Sequence, residues 1–326
     1  ALVRSRYGDE IVDKLVDPLL GGVYAGRADD LSLAVSVPTL YEAAQHEETL
    51  SAAVRSAQRA TPPPSGPMFG GLSGGMSGLA EAMASASGAT LRLGLPVRVL
   101  TPTPDGWCLT VGSTRDPERL DVDAVVLTVP ARPAARLLTP FTPASAAEVG
   151  VLDYASVALV TLVLPGDVLP ESSGFLVPAT EGYTIKAATF MTRKWPHLAG
   201  RGVSAVRVSM GRYRESRVLQ RDDEDLVGVA AADLADILGV RLPRPVGTAV
   251  RRWGGGLPQY GPGHLGRVAR ARASLAEHPT LVLAGAGYDG VGLPACARSG
   301  QHAAESLMAT LAPGPASVAL GEKHDG

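Results

Sequence analysis

Leu281-Val-Leu-Ala-Gly-Ala-Gly-Tyr-Asp-Gly-Val-Gly-Leu-Pro-Ala-Cys296 is the stretch on which the reading of this chain turns. An apolar strand runs into glycines at 285, 287 and 290, which satisfy the G-x-G-x-x-G spacing of a dinucleotide-binding turn. Glycines in such a turn let the backbone come close to a phosphate seated on a helix N-terminus. The place of the stretch in the chain does not suit a turn that opens a domain. A Rossmann unit continues through its helix into a second strand, with an acidic residue for the ribose. Here one helix follows, then Ala312-Pro-Gly-Pro315 and a polar tail, and Glu305 falls inside the helix. The stretch reads as the closing part of a nucleotide site whose beginning lies elsewhere.

Working back from it, periodicity predicts a mixed α/β chain. Helical spacing covers residues 8–20, with Pro18 bending or ending the helix and Gly21, Gly22 and Gly26 marking a turn. A second helical pattern covers 38–59. It is stopped by Thr61-Pro-Pro-Pro-Ser-Gly-Pro67, and a glycine-rich loop follows to Gly78. Short helices are predicted over 79–87 and 130–138. Strands are predicted over 91–93, 97–101, 107–111 and 124–128, with Asp105-Gly106 as a hairpin turn. A strand-rich region spans 154–164, 174–177, 184–189 and 203–211. It is followed by an amphipathic helix over 225–238 closed by Gly239, a strand over 248–253 and a helix over 265–276. The last strand and helix fall at 281–284 and 294–311, and 312–326 reads as a disordered tail.

Composition narrows the classes of function. Thirty basic and 32 acidic residues give a net charge of −2, which argues against a nucleic-acid footprint. Two cysteines, Cys108 and Cys296, without C-x-x-C spacing, suggest neither a disulfide framework nor a metal site. A reducing cytoplasm fits. No apolar run approaches the roughly 18 residues of a membrane span, and there is no signal peptide. The chain begins at Ala1, inside a charged helical pattern, which is read as an N-terminally truncated sequence.

Catalytic patterns are scarce. The six histidines are scattered. The Gly-x-Ser turns at Gly71–Ser73 and Gly75–Ser77 do not follow a buried strand as a nucleophile elbow must. Asp222-Asp223-Glu224-Asp225 reads as the acidic start of a helix rather than a cation site. No catalytic residue is assigned. A chain with so few acid–base groups leaves its chemistry to a cofactor, which points back to the glycine turn.

Together with Ser299-Gly300, that turn resembles the C-terminal FAD segment of oxygen-dependent protoporphyrinogen and coproporphyrinogen III oxidases, within the flavin amine oxidase superfamily. Asp17-Pro-Leu-Leu-Gly-Gly-Val-Tyr-Ala-Gly26 with Leu31-Ser32 resembles a second stretch of that family. Gly74-Gly75-Met76, Val97, Ala124-Val-Val-Leu-Thr-Val-Pro130, Lys194-Trp195-Pro196 and Pro258-Gln-Tyr-Gly-Pro-Gly-His264 follow in the family's order. The match covers nearly all of residues 4–311.

The resemblance implies the C-terminal portion of a two-domain FAD/NAD(P)-binding-like flavoprotein, lacking the family's N-terminal Rossmann segment. Residues 1–66 would form a helical subdomain, and 67–140 and 265–311 parts of the FAD domain. A mixed-sheet substrate domain would lie at 141–264. It implies FAD contacts at Val97 (adenine), Gly285, Ala286 (pyrophosphate and ribityl chain), Val291, Gly292 and Leu293 (the flavin ring edge). Trp253 is a further candidate that also reads as a core aromatic. Lys186, Arg193, Lys194 and Arg207 are the cations that would meet a porphyrinogen's propionates, each also readable as a solvated surface charge.

The implied reaction is oxidation of coproporphyrinogen III or protoporphyrinogen IX to the porphyrin, with O2 as acceptor and hydrogen peroxide as product, in heme biosynthesis. Hand-over to a ferrochelatase-type enzyme and at most peripheral membrane contact go with it. The alternatives left open are another flavin oxidase or desaturase, or an inactive truncated remnant. The chain alone is expected to be colourless and inactive.

Overall fold

The computed structural model describes residues 2–61, 66 and 70–312. Most of the proline-rich stop after Thr61, and the tail from 313 onward, lie outside the described residues. The described residues hold ten strands: β1 (Val97–Thr103), β2 (Gly106–Gly112), β3 (Pro117–Val122), β4 (Val125–Leu127), β5 (Tyr154–Pro165), β6 (Gly174–Leu176), β7 (Ile185–Phe190), β8 (Val203–Met210), β9 (Gly247–Pro258) and β10 (Leu281–Leu283). The chain adopts the mixed α/β class read from its periodicity. It divides into two compact units, Ala1–Leu93 with Leu152–His264, and Gly94–Val151 with Leu265–Gly326.

The first unit is built on an antiparallel sheet of order β6-β7-β8-β5-β9. Side chains alternate between the faces of a strand, so the run Ala158, Val160, Leu162 and Leu164 on β5 lies on one face. The register sets Val160 opposite Val208 and Leu162 opposite Val206. The helix Asp223–Leu238 covers this face with Leu226, Ala230 and Leu234, spaced one helical turn apart and all fully buried. Its acidic start works as a cap, because Asp222 Oδ1 accepts the N–H of Asp225 at 2.9 Å. Gly239, at φ 64°, ends it. The opposite face of the sheet carries Leu159, Thr161, Arg207, Ser209 and Arg251, and its arginines are exposed.

The leading helix does not stop at Pro18. It runs as Arg4–Ile11, kinked at Gly8 (φ 82°), a π-helical turn Val12–Val16, and Asp17–Tyr24. The wider turn just ahead of Pro18 makes room for the ring and absorbs its missing N–H. Gly21 and Gly22 are therefore helical, and the terminus falls at Ala25 with φ 56°. A Cβ on Gly22 would stand 3.2 Å from a Leu176 methyl, so this helix lies close on β6. The pattern over 38–59 splits into Pro38–His46 and Leu50–Ala60. Thr49 starts the second piece, its Oγ1 accepting the N–H of Ala52 at 3.2 Å.

The second unit holds the antiparallel meander β1-β2-β3 and the parallel pair β4-β10. Trp107 of β2 is 1% exposed; its Nε1–H donates to Thr280 Oγ1 at 3.0 Å, and its ring meets Phe141 and His278. Residues 91–93 form no strand. β3 was missed from the sequence: it is an exposed edge that opens on Pro117, and only Leu120 and Val122 alternate with its charged residues. The units divide at 93/94, 151/152 and 264/265, against sequence-based joins at 66/67, 140/141 and 264/265. The helix Pro143–Gly150 accounts for the second difference. It packs on Ala131–Leu138 so closely that a Cβ on Gly150 would meet the Ala135 methyl at 3.2 Å.

Truncating the centre of the covered sheet face tests this assignment of the core. Leu162→Ala is expected to cost about 2–5 kcal/mol in urea unfolding. A loss under about 1 kcal/mol would show that this face is not the core.

Candidate functional site

β10 lies parallel to β4, and Ala284 donates its N–H to Leu127 O at 3.2 Å where the strand ends. The chain then turns at Gly285 with φ 110° and ψ −176°, a conformation open only to glycine. A short helix Ala286–Asp289 follows, and Gly290 (φ 109°) and Gly292 (φ 101°) lead into the helix Leu293–Leu311. Gly287, the middle member of the G-x-G-x-x-G spacing, is helical and buried. The glycines that the backbone demands are therefore 285, 290 and 292. A Cβ at any of these three would meet no protein atom closer than 3.6 Å. Conformation excludes a side chain there, and the space beside the backbone stays open.

Three side chains fix the turn. Ser299, on the following helix, accepts the N–H of Gly285 on Oγ at 2.7 Å and donates to Asp289 Oδ2 at 2.5 Å. Arg272 grips both Asp289 oxygens at 2.8 and 2.9 Å and donates to Leu283 O at 3.2 Å. Strand end, turn and helix are thereby tied by one ion pair, made through the single nitrogen Nη2 of Arg272, and one hydroxyl. Sequence reasoning reached Ser299 only through the resemblance and missed its partners, which lie 10 and 27 residues away along the chain (299 − 289 and 299 − 272).

The helix that follows has no side-chain cap. Cys296 donates its N–H to Gly292 O at 3.0 Å, and Pro294 has none to give. The N–H groups of Leu293 and Ala295 precede the first intrahelical acceptor. They sit at the positive end of a 19-residue helix, worth roughly half a charge. A strained glycine turn beside such an end suits an anionic or hydrogen-bond-accepting ligand edge.

Of the predicted site residues, the structure brings together Gly285, Ala286, Val291, Gly292 and Leu293 in this one turn. Val97 opens β1 in the same unit, 40% exposed, on a different sheet. Trp253 lies on β9 in the other unit and is 57% exposed, so it is not a core aromatic.

Among the cations, Lys186 is buried and donates from Nζ to Gly21 O at 3.2 Å, holding the leading helix to the sheet. Arg193 donates to Leu169 O at 2.7 Å and pairs with Asp167 and Glu171. The Lys194 ammonium sits 5.6 Å from the Trp195 ring centre. Arg207 is exposed on the sheet face away from the helix Asp223–Leu238. Among the described residues no three His, Cys, Asp or Glu side chains converge as metal ligands.

The sequence pattern of the flavin containing amine oxidoreductases matches residues 1–308. The chain belongs to this family. It is 38% identical over 313 residues to the coproporphyrinogen III oxidase of Mycobacterium bovis, covering 95% of this chain and 66% of that protein. To the coproporphyrinogen III oxidase of Bacillus subtilis it is 30% identical over 318 residues, covering 94% of this chain and 66% of that protein. A crystal structure from Exiguobacterium sp. 255-15, provisionally named a protoporphyrinogen oxidase, superposes with a TM-score of 0.81 at 31% identity, covering 94% of this chain and 66% of that one. The chain thus spans about two thirds of the length of these relatives. Family membership makes a flavin the cofactor class, and the open backbone of the turn and its uncapped helix end fit one.

Lys186 gives a pH test of the interface it holds. Burial first, and the facing Arg212 guanidinium second, push its ammonium from the ordinary 10.5 down to about 8. With the folded value depressed, the unfolded chain binds the extra proton between about pH 8 and 10.5, so this group's contribution to stability rises across that window. Below pH 8 the buried charge costs about 3 kcal/mol. Lys186→Met is therefore expected to be more stable than the parent at pH 7, by up to that amount, with the gap closing by pH 10.5 in urea unfolding. A gap that does not change with pH would show that the buried ammonium is not its source.

Proposed function

We propose that the full-length protein is an FAD-dependent porphyrinogen oxidase of heme biosynthesis. It would take coproporphyrinogen III or protoporphyrinogen IX to the porphyrin, with O2 as acceptor and hydrogen peroxide as product. One observation carries the reading. A glycine turn with open backbone, leading to an uncapped helix end, occurs in a chain 38% identical along 95% of its length to a coproporphyrinogen III oxidase.

FAD, when bound, supplies a two-electron acceptor. The rest falls to this chain's own groups. The Gly285 and Ala286 backbone would lie against the pyrophosphate and ribityl chain, and Val97 against the adenine. Val291, Gly292 and Leu293 would line the edge of the flavin ring. There the positive helix end favours negative charge, as a preorganised dipole does at an oxyanion. Trp253 is kept as a further contact. The scarcity of buried acid–base groups agrees with a substrate whose pyrrole nitrogens release their own protons. Among the described residues no helix is long and apolar enough to cross a membrane. A cytoplasmic enzyme with at most peripheral membrane contact, handing its product to a ferrochelatase-type enzyme, fits this reading.

The deciding measurement is peroxide formation by the full-length protein on both porphyrinogens and on a panel of amines. Turnover of a porphyrinogen is expected, and activity confined to amines would overturn the proposal. A second test concerns the turn. Gly292→Val forces a β-branched residue to φ 101°, at about 1–3 kcal/mol. In the full-length protein it is expected to weaken flavin retention at least tenfold while the circular-dichroism spectrum holds. Unchanged retention would remove this turn from the cofactor site.

A further inference from the structure

The face of the five-stranded sheet away from the helix Asp223–Leu238 meets the leading helix at Leu176 of β6, and farther along it carries two guanidiniums that no other described residue engages. Arg207 on β8 stands opposite Thr161 on β5, which stands opposite Ala249 on β9. One row along, Ser209 on β8, Leu159 on β5 and Arg251 on β9 align in the same way. Residues opposite one another share a face, so both arginines rise from the face away from the core. Strand spacing and rise put their Cα atoms about 12 Å apart. The neighbouring Arg252 points the other way and is fully engaged, donating to Leu219 O, Arg221 O and the Asp223 carboxylate. Arg207 and Arg251 are exposed and make no hydrogen bond or ion pair among the described residues.

Their surroundings are not those of an ordinary wet surface. β8 and β5 are inner strands of the sheet. The two rows continue onto β7 as Ala187 and Thr189, so they hold small, hydroxyl or apolar residues and no carboxylate. Leu159 is half-buried, and Trp253, two residues beyond Arg251 and on the same face, is 57% exposed. An apolar surface with an exposed indole and two separated cations suits a flat apolar ligand that carries carboxylates on its rim.

We infer that this face is where the substrate's carboxylates are read, Arg207 and Arg251 each engaging one. This deepens, and rests on, the porphyrinogen reading. It adds Arg251, which nothing in the sequence singled out.

The test uses the full-length protein with Arg207→Gln, Arg251→Gln and the double variant. Binding of coproporphyrin III, its tetramethyl ester and protoporphyrin IX is followed by the Soret shift. KM and kcat are measured on coproporphyrinogen III. Each single change is expected to weaken the free acid and raise KM roughly tenfold, the size of one charge-assisted contact. kcat should move less than twofold, and Arg→Lys should recover part of the loss. Binding of the ester, which has no carboxylate, should not change, and protoporphyrin IX, which keeps two carboxylates, should also be weakened. Free-acid binding unaltered in the double variant, or an equal loss for the ester, overturns the inference. The two readings fail separately. Wild-type turnover indifferent to both changes refutes the carboxylate assignment alone, and arginine-dependent binding without any peroxide refutes the oxidase reading alone. A wild type that binds neither porphyrin refutes both.

Discussion

The hydrogen-bonded chain from Arg272 through Asp289 and Ser299 to the amide of Gly285 is the interaction on which the candidate cofactor turn depends. Three glycines with positive φ are a costly way to run a backbone, because unfolded glycine has more freedom to lose than any other residue. Left alone, such a segment would sample many shapes. An ion pair at one end and a hydroxyl bridge at the other reduce these to one. The helix after the turn then presents its first N–H groups at a fixed place, which is what makes a helix dipole useful to bound charge.

The first unit solves a different problem. A five-stranded antiparallel sheet needs only one dry face to be stable, and the helix Asp223–Leu238 supplies its cover. The other face packs on the leading helix at Leu176 of β6, and its β8, β5 and β9 part is not needed for that core. Its side chains can be chosen for what they meet rather than for how they fill space, and Arg207, Arg251 and Trp253 stand on it.

Much of the fold was readable from local chemistry. A valine-rich apolar run marked β5, and the acidic start and Gly239 bracketed the helix between them. The glycines before Pro294 announced the turn and its helix. What escaped reading was decided by tertiary context. Pro18 looks like a stop because local rules cannot foresee a π-helical turn that accommodates it. β3 shows alternation only at Leu120 and Val122 because it is an edge with little to bury. Ser299, Asp289 and Arg272 meet only once strand, turn and two helices are in place. Arg251 and Arg252 are indistinguishable as neighbours in sequence, and only strand register sends one to the core side and the other to the open face.

The pairing of β4 with β10 has a consequence for how the chain is made. Leu127 and Leu281 bracket the whole segment from which the five-stranded sheet is built. During synthesis β4 leaves the ribosome long before its partner exists, and its apolar edge must wait. The intervening sheet joins strands that are close in sequence, so its loops close early. The nascent chain would therefore complete the inserted unit first, and the parallel pair, with the glycine turn at its end, would be among the last elements to settle. Such a lag leaves a short-lived, sticky strand for a chaperone to shield.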